Sequence, residues 1–273
     1  MRFLGLLASL LAAWHVSADL EERDPSVNSF VFDSVFWVDR GDWKCTKQQV
    51  KQLNKAIDDA RAVTQLAVSA LSAQGSEDSY AFRTWFGQNW QFPKISKQKG
   101  NGVTENSLVY SCPPPGDKYC DPTSLAAARS QFPGTPWRGP TLVILCPGFF
   151  ASKSTIESVA VDWKVAGKVM PTRNAGLTLV HEFQHMPKVT GLNNVCVDVP
   201  DPARGKSANG RPKGCYSPRW YVEYTCVGIS DELKITNAEN YAIFAGFIRA
   251  WPEKSKPARL PSRQIPTLRY TRT

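Results

Sequence analysis

Two histidines four positions apart, His181 and His185, constrain this chain more than any other feature of its sequence. Residues four apart on an α-helix lie on one face, about one turn from each other, so a helix would aim both imidazoles at one point. Glu182 completes the pattern His-Glu-x-x-His, in which the imidazoles bind zinc and the glutamate moves protons. The apolar spacing from Leu177 to Met186 predicts such a helix. The alternative is a structural helix that buries two histidines beside an incidental glutamate.

The N-terminus has the three-part layout of a secretory signal peptide. Arg2 is followed by an apolar run from Phe3 to Trp14 and then by the small-residue triplet Val16-Ser17-Ala18. We therefore expect residues 1–18 to be a signal peptide, 19–250 to form one domain, and the protein to be secreted. No later segment has the sustained apolar run of a membrane helix, so no membrane partner is expected.

A catalytic zinc has three protein ligands and one open position. The only other histidine, His15, would leave with the signal peptide, so the third ligand should be a carboxylate. The candidates are Asp198 and Asp201, in the Pro-, Gly- and Asn-rich stretch 187–215 that we predict to be a long loop, and the more distant Glu223. Asp198 lies between two valines and is favoured, because Asp201 precedes a proline in a turn-like segment.

The formal net charge of +9 comes partly from the C-terminus. Residues 251–273 combine six basic residues and one acidic residue with four prolines, which predicts a disordered basic tail. The tail lacks the interleaved aromatic residues of a stacking surface, so no specific nucleic-acid partner is expected. The alternative is a module that binds polyanions through this tail and the basic segment 204–213.

Periodicity places the remaining elements. The predicted helices are Thr46 to Ala73, Ser79 to Phe86 with its end at Gly87, Tyr221 to Ile229, and Asn237 to Ala250. Thr141 to Cys146 is a continuous apolar run that predicts a buried strand. These elements indicate an α+β fold in a single helix-rich domain with a small β-sheet and a long active-site loop.

Seven cysteines in a secreted chain predict disulfides, with one cysteine left over. One possible set of pairs is Cys196 with Cys215, Cys146 with Cys226, and Cys112 with Cys120. Cys45 would then be left over, although it could pair with Cys226 instead. Spacing alone does not choose among these connectivities.

Four ordered segments resemble the aspzincin metalloendopeptidases, the deuterolysin and lysine-specific group of fungal secreted proteases. They are SYAFRTWFG from residue 79, LCPGFF from 145, HEFQH from 181 and NAENYAIFA from 237. The resemblance implies a zincin-like fold, one Zn²⁺ and a protein or peptide substrate. It also implies that a tyrosine donates its hydroxyl to the developing oxyanion, a role that falls to Tyr216. The family's Gly-Thr-x-x-Asp and Tyr-Gly pattern is altered here, with Thr190-Gly191 reversed and Cys215-Tyr216-Ser217 in place of Cys-Tyr-Gly.

Together these features predict a monomeric, secreted zinc endopeptidase. His181, His185 and Asp198 would bind the metal, and Glu182 and Tyr216 would be catalytic. The main alternative is a secreted protein of the same fold that binds zinc without catalysis, acting as an antigen or a host-interaction factor.

Overall fold

The computed structural model describes residues 35–37, 43–87, 108–120, 124–129, 142–170, 174–186, 195–200 and 225–257. Several predicted features therefore lie outside the described residues. They are the signal peptide, the basic segment 204–213, most of the loop 187–215, and the side chains of Asp201, Tyr216 and Glu223.

The longest element, helix α1, spans Lys47–Ser72 and begins at a capping box. The Gln49 amide donates to the Thr46 hydroxyl oxygen at 3.2 Å, and the Thr46 amide donates to the Gln49 side-chain oxygen at 2.8 Å. This reciprocal pair satisfies two amides that no helical carbonyl can reach. The apolar face of α1 then runs through the core from Val50 to Ala67.

The described strands form one sheet of order β1-β2-β4-β3, with β1 at Val35–Trp37, β2 at Leu108–Ser111, β3 at Ala126–Arg129 and β4 at Leu142–Leu145. Strands β1, β2 and β4 are parallel, and β3 runs antiparallel to β4 along the edge. All four residues of β4 are buried, which confirms the predicted buried strand.

The remaining α-helices are α2 (Tyr80–Phe86), α3 (Pro147–Phe150), α4 (Ile156–Ala166), α5 (Ala175–Gln184), α6 (Asp231–Lys234) and α7 (Ala238–Ala250). Helices α1, α2, α5 and α7 confirm predicted helices to within two residues at each end. The α+β class, with a helix-rich domain and a small sheet, is confirmed. None of the described helices is long and apolar enough to cross a membrane.

Helix α5 lies at the centre and contacts α1, α7 and β3. Its close approach to α1 depends on Gly176, where a Cβ atom would lie 2.7 Å from Asp59 Cβ and 3.1 Å from the Ala60 amide nitrogen. A glycine is therefore required at the crossing, because backbone as well as side chain fills the space. The crossing fixes the position of the helix that carries His181 and ends at the cap residue His185.

The predicted disulfide pairs are wrong. Cys45 pairs with Cys112, Cys120 pairs with Cys146, and Cys196 is a thiol. Cys112 follows β2, and its amide donates to the Trp43 carbonyl at 3.1 Å, which brings it beside Cys45 at the start of α1. Cys112 and Cys120 are close in sequence, but Cys112 lies at the end of β2, whereas Cys120 is bonded to Cys146 at the end of β4. Cys226 is also disulfide-bonded.

Two further predictions need correction. Where Tyr221 to Ile229 was predicted as a helix, the part described from residue 225 forms only a 3-10 turn at Thr225–Val227. Residues 251–257, assigned to a disordered tail, are ordered, with a 3-10 turn at Pro252–Ser255. Trp251 anchors this segment by stacking on Trp163 with ring centroids 6.5 Å apart. Burial of these two aromatic faces outweighs the disordering composition.

Candidate metal centre

Helix α5 carries His181 and Glu182 in its last turns and ends immediately before His185. Asn174 caps the N-terminus by accepting from the Leu177 amide at 2.9 Å. His185 is the C-cap residue and keeps helical dihedral angles, φ −80° and ψ −2°. Its side chain therefore stays one turn above His181 on the same face, as the four-residue spacing predicts.

Cys196 lies beside the C-terminal end of α5, and hydrogen bonds from both of its backbone groups hold it there. The Cys196 amide donates to the Gln184 carbonyl at 2.9 Å, one of the carbonyls that a helix end leaves without a helical partner. The Cys196 carbonyl oxygen in turn lies 2.9 Å from His185 Nδ1. Asp198, two residues on, is thereby held near both histidines.

Residues at the start of α7 hold the segment 197–199 through hydrogen bonds. Val197 and Asn237 form a parallel β-bridge, in which the Val197 amide donates to the Thr236 carbonyl at 2.8 Å and the Ala238 amide donates to the Val197 carbonyl at 3.0 Å. The Val199 amide donates to Asn237 Oδ1 at 3.1 Å. Asp198 thus lies between two residues that are fixed to α7.

Three ligand atoms converge at this point. His181 Nε2 lies 3.1 Å from Asp198 Oδ1 and 3.2 Å from His185 Nε2, and the third side of the triangle, from His185 Nε2 to Asp198 Oδ1, is 3.4 Å. Ligands about 2.0–2.1 Å from a tetrahedral zinc ion stand roughly 3.3–3.4 Å apart. The triangle therefore fits one such ion, and two imidazoles with a carboxylate are a donor set that zinc accepts.

The outer nitrogen of each ring faces an acceptor. His181 Nδ1 lies 2.9 Å from Glu239 Oε2, and His185 Nδ1 faces the Cys196 carbonyl. Because a carboxylate and a carbonyl oxygen can only accept, each Nδ1 carries a proton and donates it. In the neutral ring this leaves the Nε2 lone pair directed at the centre of the triangle, as a metal ligand requires.

Glu182 lies beside the triangle and is buried, with 6% of its surface exposed. Its carboxylate accepts a hydrogen bond from the backbone amide of Ala128 on β3. The glutamate is therefore held between the face of α5 that carries His181 and the edge strand of the sheet.

Comparison with known proteins places the chain in a family. Residues 32–198 match the family described as "HRXXH: Putative peptidase family", a range that covers more than half of the sequence and ends at Asp198. The chain belongs to this peptidase family. The five letters of the family name agree with His181 to His185 except at the second position, where this chain has Glu182 in place of arginine.

Among solved structures, a zinc peptidase from Grifola frondosa is similar to this family member, with 16% sequence identity and a TM-score of 0.47. The match covers 76% of this chain and 99% of that chain. No curated protein matches the sequence.

The close contact of His181, His185 and Asp198 shifts the pKa values of all three side chains. Burial lowers the pKa of His181, but hydrogen bonds to Asp198 and Glu239 outweigh it, so the pKa lies well above 6.5. The pKa of His185 is raised in the same way, mainly because the Asp198 hydrogen bond outweighs burial. Burial alone would raise the pKa of Asp198, yet the two histidines hold it well below its usual range. Protons and a metal ion thus compete for the same atoms.

Burial raises the pKa of the Glu182 carboxyl, and the two neighbouring histidines only partly oppose this effect. A carboxylate with a raised pKa takes up a proton more readily near neutral pH. Glu182 therefore combines limited solvent access with increased basicity.

The structure brings together four of the residues predicted from the sequence: His181, Glu182, His185 and Asp198. Tyr216 and the two rival ligands, Asp201 and Glu223, lie outside the described residues. Glu239 was missed. Its only signal in the sequence is an acidic residue at the start of a helix, which is common in the first turn because it complements the helix dipole.

Proposed function

We propose that the protein is a secreted, monomeric, zinc-dependent endopeptidase. The observation that carries this proposal is the triangle of His181, His185 and Asp198 ligand atoms with the Glu182 carboxylate buried beside it. Membership of a peptidase family supports the same reaction class.

In this proposal His181, His185 and Asp198 hold one zinc ion. The ion, when bound, supplies Lewis acidity, which lowers the pKa of a coordinated water and polarises a substrate carbonyl. Three protein ligands leave a fourth position open for these groups, which is the arrangement of a catalytic rather than a structural site.

Glu182 would act as the general base and then as the general acid. It would take a proton from the attacking water and pass it to the amine of the cleaved bond. The Ala128 amide, which donates to Glu182, would keep the carboxylate oriented before substrate arrives. Tyr216 would donate its hydroxyl to the oxyanion of the tetrahedral intermediate, as the resemblance to aspzincins implies.

The substrate would bind in an extended conformation along β3. The Cys146 amide donates to the Leu125 carbonyl at 2.9 Å, so the alternating pattern directs the backbone groups of Ala127 and Arg129 toward β4. The backbone groups of Ala126 and Ala128 therefore point away from β4, and one of them already reaches Glu182. An added peptide strand would pair with these outward groups next to the proposed zinc ligands.

Secretion is proposed from the signal peptide predicted at residues 1–18. The disulfides Cys45–Cys112 and Cys120–Cys146 support an oxidising compartment. Sequencing the N-terminus of protein recovered from the culture medium would test the cleavage point, and a mature chain that still began at Met1 would refute it.

Metal analysis combined with casein hydrolysis tests the proposed chemistry. Wild type should contain one zinc per chain and should hydrolyse casein. Asp198→Asn should lose both properties, because an amide oxygen is a poor substitute for a charged ligand. Glu182→Gln should keep zinc and lose activity. The matched control, Asp162→Asn, changes an exposed carboxylate on α4 and should behave like wild type.

A second candidate function is zinc binding without catalysis. It is favoured by the altered pattern after the second histidine, where Thr190-Gly191 is reversed and Cys215-Tyr216-Ser217 replaces the Cys-Tyr-Gly of the aspzincins. Wild type that binds zinc but leaves casein and other unfolded proteins intact would support this candidate. Zinc-dependent hydrolysis that is lost in both Glu182→Gln and Glu182→Arg would exclude it.

A further inference from the structure

A zinc ion at this site would require His181 to present the lone pair of its Nε2 atom. A neutral histidine in water favours a proton on Nε2, and a ring in that state cannot bind a metal through that atom. His181 is buried, with 6% of its surface exposed, so its surroundings decide which nitrogen carries the proton.

Glu239 is the group that faces the outer nitrogen of this ring. Its Oε2 atom lies 2.9 Å from His181 Nδ1, and its side chain is 16% exposed, so water competes little for the contact. His185 has a backbone carbonyl in the equivalent position. Glu239 is thus the side chain that orients one proposed ligand, while the main chain orients the other.

A buried polar network fixes the helix turn that carries Glu239. Asn240 donates to the Trp85 carbonyl at 2.6 Å and to the Cys226 carbonyl at 3.3 Å. Asn237 donates to Asn240 Oδ1 at 2.6 Å. Both asparagines are almost fully buried, at 1% and 0% exposure, so the first turn of α7 has little freedom to move.

The same turn also pairs with the segment that carries Asp198, through the bridge between Val197 and Asn237. Asp198, the proposed third ligand, and Glu239, which contacts the first ligand, are therefore both held at the start of α7. A shift of α7 would move both groups together relative to α5.

We propose that Glu239 is a positioning residue of the metal centre, which sets the tautomer and orientation of His181 and thereby the zinc affinity of the site. The inference rests on the proposed function insofar as His181 is a zinc ligand. Carboxylates behind a ligand histidine typically contribute 10–100-fold to metal affinity, because they fix the ring and increase its basicity.

The first test is the zinc dissociation constant, measured by competition with a chromophoric chelator. Glu239→Ala should weaken zinc binding roughly 10–100-fold. Glu239→Gln should lose less, because its amide oxygen still accepts from Nδ1 although it carries no charge. The control is Glu157→Gln, which removes an exposed carboxylate that also binds α7, through Arg249 at 3.0 Å, and should leave zinc affinity unchanged.

The second test reads the tautomer directly in the metal-free protein. The chain contains only three histidines, so ¹⁵N-histidine NMR spectra are simple to assign. At a pH where the rings are neutral, His181 should carry its proton on Nδ1 in wild type and on Nε2 in Glu239→Ala. A purely structural role for Glu239 would not shift this equilibrium while the chain stays folded.

The outcomes separate the two proposals. Wild type that binds no zinc would overturn the metal centre itself. Wild type that binds zinc, with Glu239→Ala folded and equal to it in affinity and tautomer, would overturn the role of Glu239 alone. Partial recovery of affinity in Glu239→Gln relative to Glu239→Ala would support the hydrogen bond as the cause.

Discussion

The backbone amide of Val199 donates to the side-chain oxygen of Asn237 at 3.1 Å, which ties the Asp198 segment to the start of α7. Asn237 is buried, and its side-chain nitrogen Nδ2 donates to the side-chain oxygen Oδ1 of Asn240 at 2.6 Å. Asn237→Ala removes both contacts and should cost about 1–3 kcal/mol of unfolding free energy, because buried polar partners lose their hydrogen bonds. Zinc affinity should also fall, since Asp198 would lose one of its two anchors.

The matched control for this change is Asn174→Ala. Asn174 is also buried, at 2% exposure, and also accepts from a backbone amide, that of Leu177 at 2.9 Å, but it caps the opposite end of α5. Both variants should lose similar stability in chemical denaturation, whereas only Asn237→Ala should bind zinc more weakly. Equal zinc affinity in the two folded variants would show that Asn237 does not help to position Asp198.

Gly176 permits the crossing of α1 and α5, and its substitution tests how tightly that crossing is packed. An alanine Cβ there would lie 2.7 Å from Asp59 Cβ and 3.2 Å from the Ala56 carbonyl oxygen. The overpacking cost of about 1–3 kcal/mol should exceed the roughly 1 kcal/mol that alanine gains over glycine in a helix. Thermal denaturation should therefore show a lower Tm for Gly176→Ala, and a Tm equal to or above that of wild type would contradict the packing.

Gly116→Ala is the comparison for this variant. Gly116 has a φ angle of +81°, and a Cβ atom added there would meet nothing within 4 Å, so only backbone strain is added. The strain should cost about 1 kcal/mol. Zinc affinity should be unaffected by Gly116→Ala, whereas Gly176→Ala displaces the helix that carries His181 and should weaken zinc binding as well.

Four of the helices and the candidate zinc ligands on or beside α5 could be predicted because they depend on local sequence. The apolar spacing and capping residues define α1, α5 and α7, and the four-residue spacing of His181 and His185 depends only on helix geometry. Helix α4 also had local signals, since Thr155 caps its start and Gly167 ends it at a φ of +66°. Helix α4 is therefore also predictable from local sequence.

Features that depend on the order of strands could not be predicted in the same way. The disulfide pairs depend on which strand ends are neighbours in the sheet. The spacing of the cysteines along the chain does not reveal the order of the strands. Strand β3 reads Ala-Ala-Ala-Arg, a segment with low intrinsic preference for a strand. Its conformation comes from pairing with β4, so it appears only when the tertiary structure is known. Glu239 was missed for the same reason, since 58 residues separate it from His181.

The cysteine connectivity gives a prediction that mass spectrometry can check. Non-reducing peptide mapping should yield Cys45 linked to Cys112 and Cys120 linked to Cys146. Cys196 is 2% exposed, and burial raises the pKa of its thiol to about 12, so an alkylating reagent should modify it only after unfolding. Rapid alkylation of Cys196 in the native protein, or a Cys112–Cys120 peptide, would contradict the structure.

Zinc should stabilise the protein more strongly as pH rises. Without metal, the raised pKa values of His181 and His185 mean that protonation stabilises the folded state below about pH 6.5, a contribution lost as pH increases through the folded-state values. Zinc requires the neutral rings, so the same protons oppose its binding at low pH. The difference in Tm between zinc-loaded and chelated protein should therefore grow from acidic to alkaline pH.

Differential scanning fluorimetry with and without zinc measures this difference across the pH range. Asp198 raises the pKa of both histidines, and its pKa is lowered, so its own contribution to metal-free stability is lost only in strong acid. A zinc-dependent Tm shift that stays constant from acidic to alkaline pH would argue against two histidine ligands.

Proline scanning of β3 separates substrate binding from sheet stability. The alternation of backbone groups directs the Ala126 amide away from β4 and the Ala127 amide toward Ile144 on β4. Ala126→Pro therefore removes a donor that an added peptide strand would use, and an edge strand tolerates proline at such a position. We expect a higher KM for peptide substrates, with zinc content unchanged.

Ala127→Pro is the matched control one residue away. It removes a hydrogen bond within the sheet, so it should lower Tm while leaving the outward donor of Ala126 in place. The two variants should therefore differ in opposite ways. Ala126→Pro should raise KM with little loss of Tm, whereas Ala127→Pro should mainly lower Tm. If Ala126→Pro hydrolysed peptides with the KM of wild type, the substrate would not bind along this edge, and the outward groups of β3 would serve only to hold Glu182.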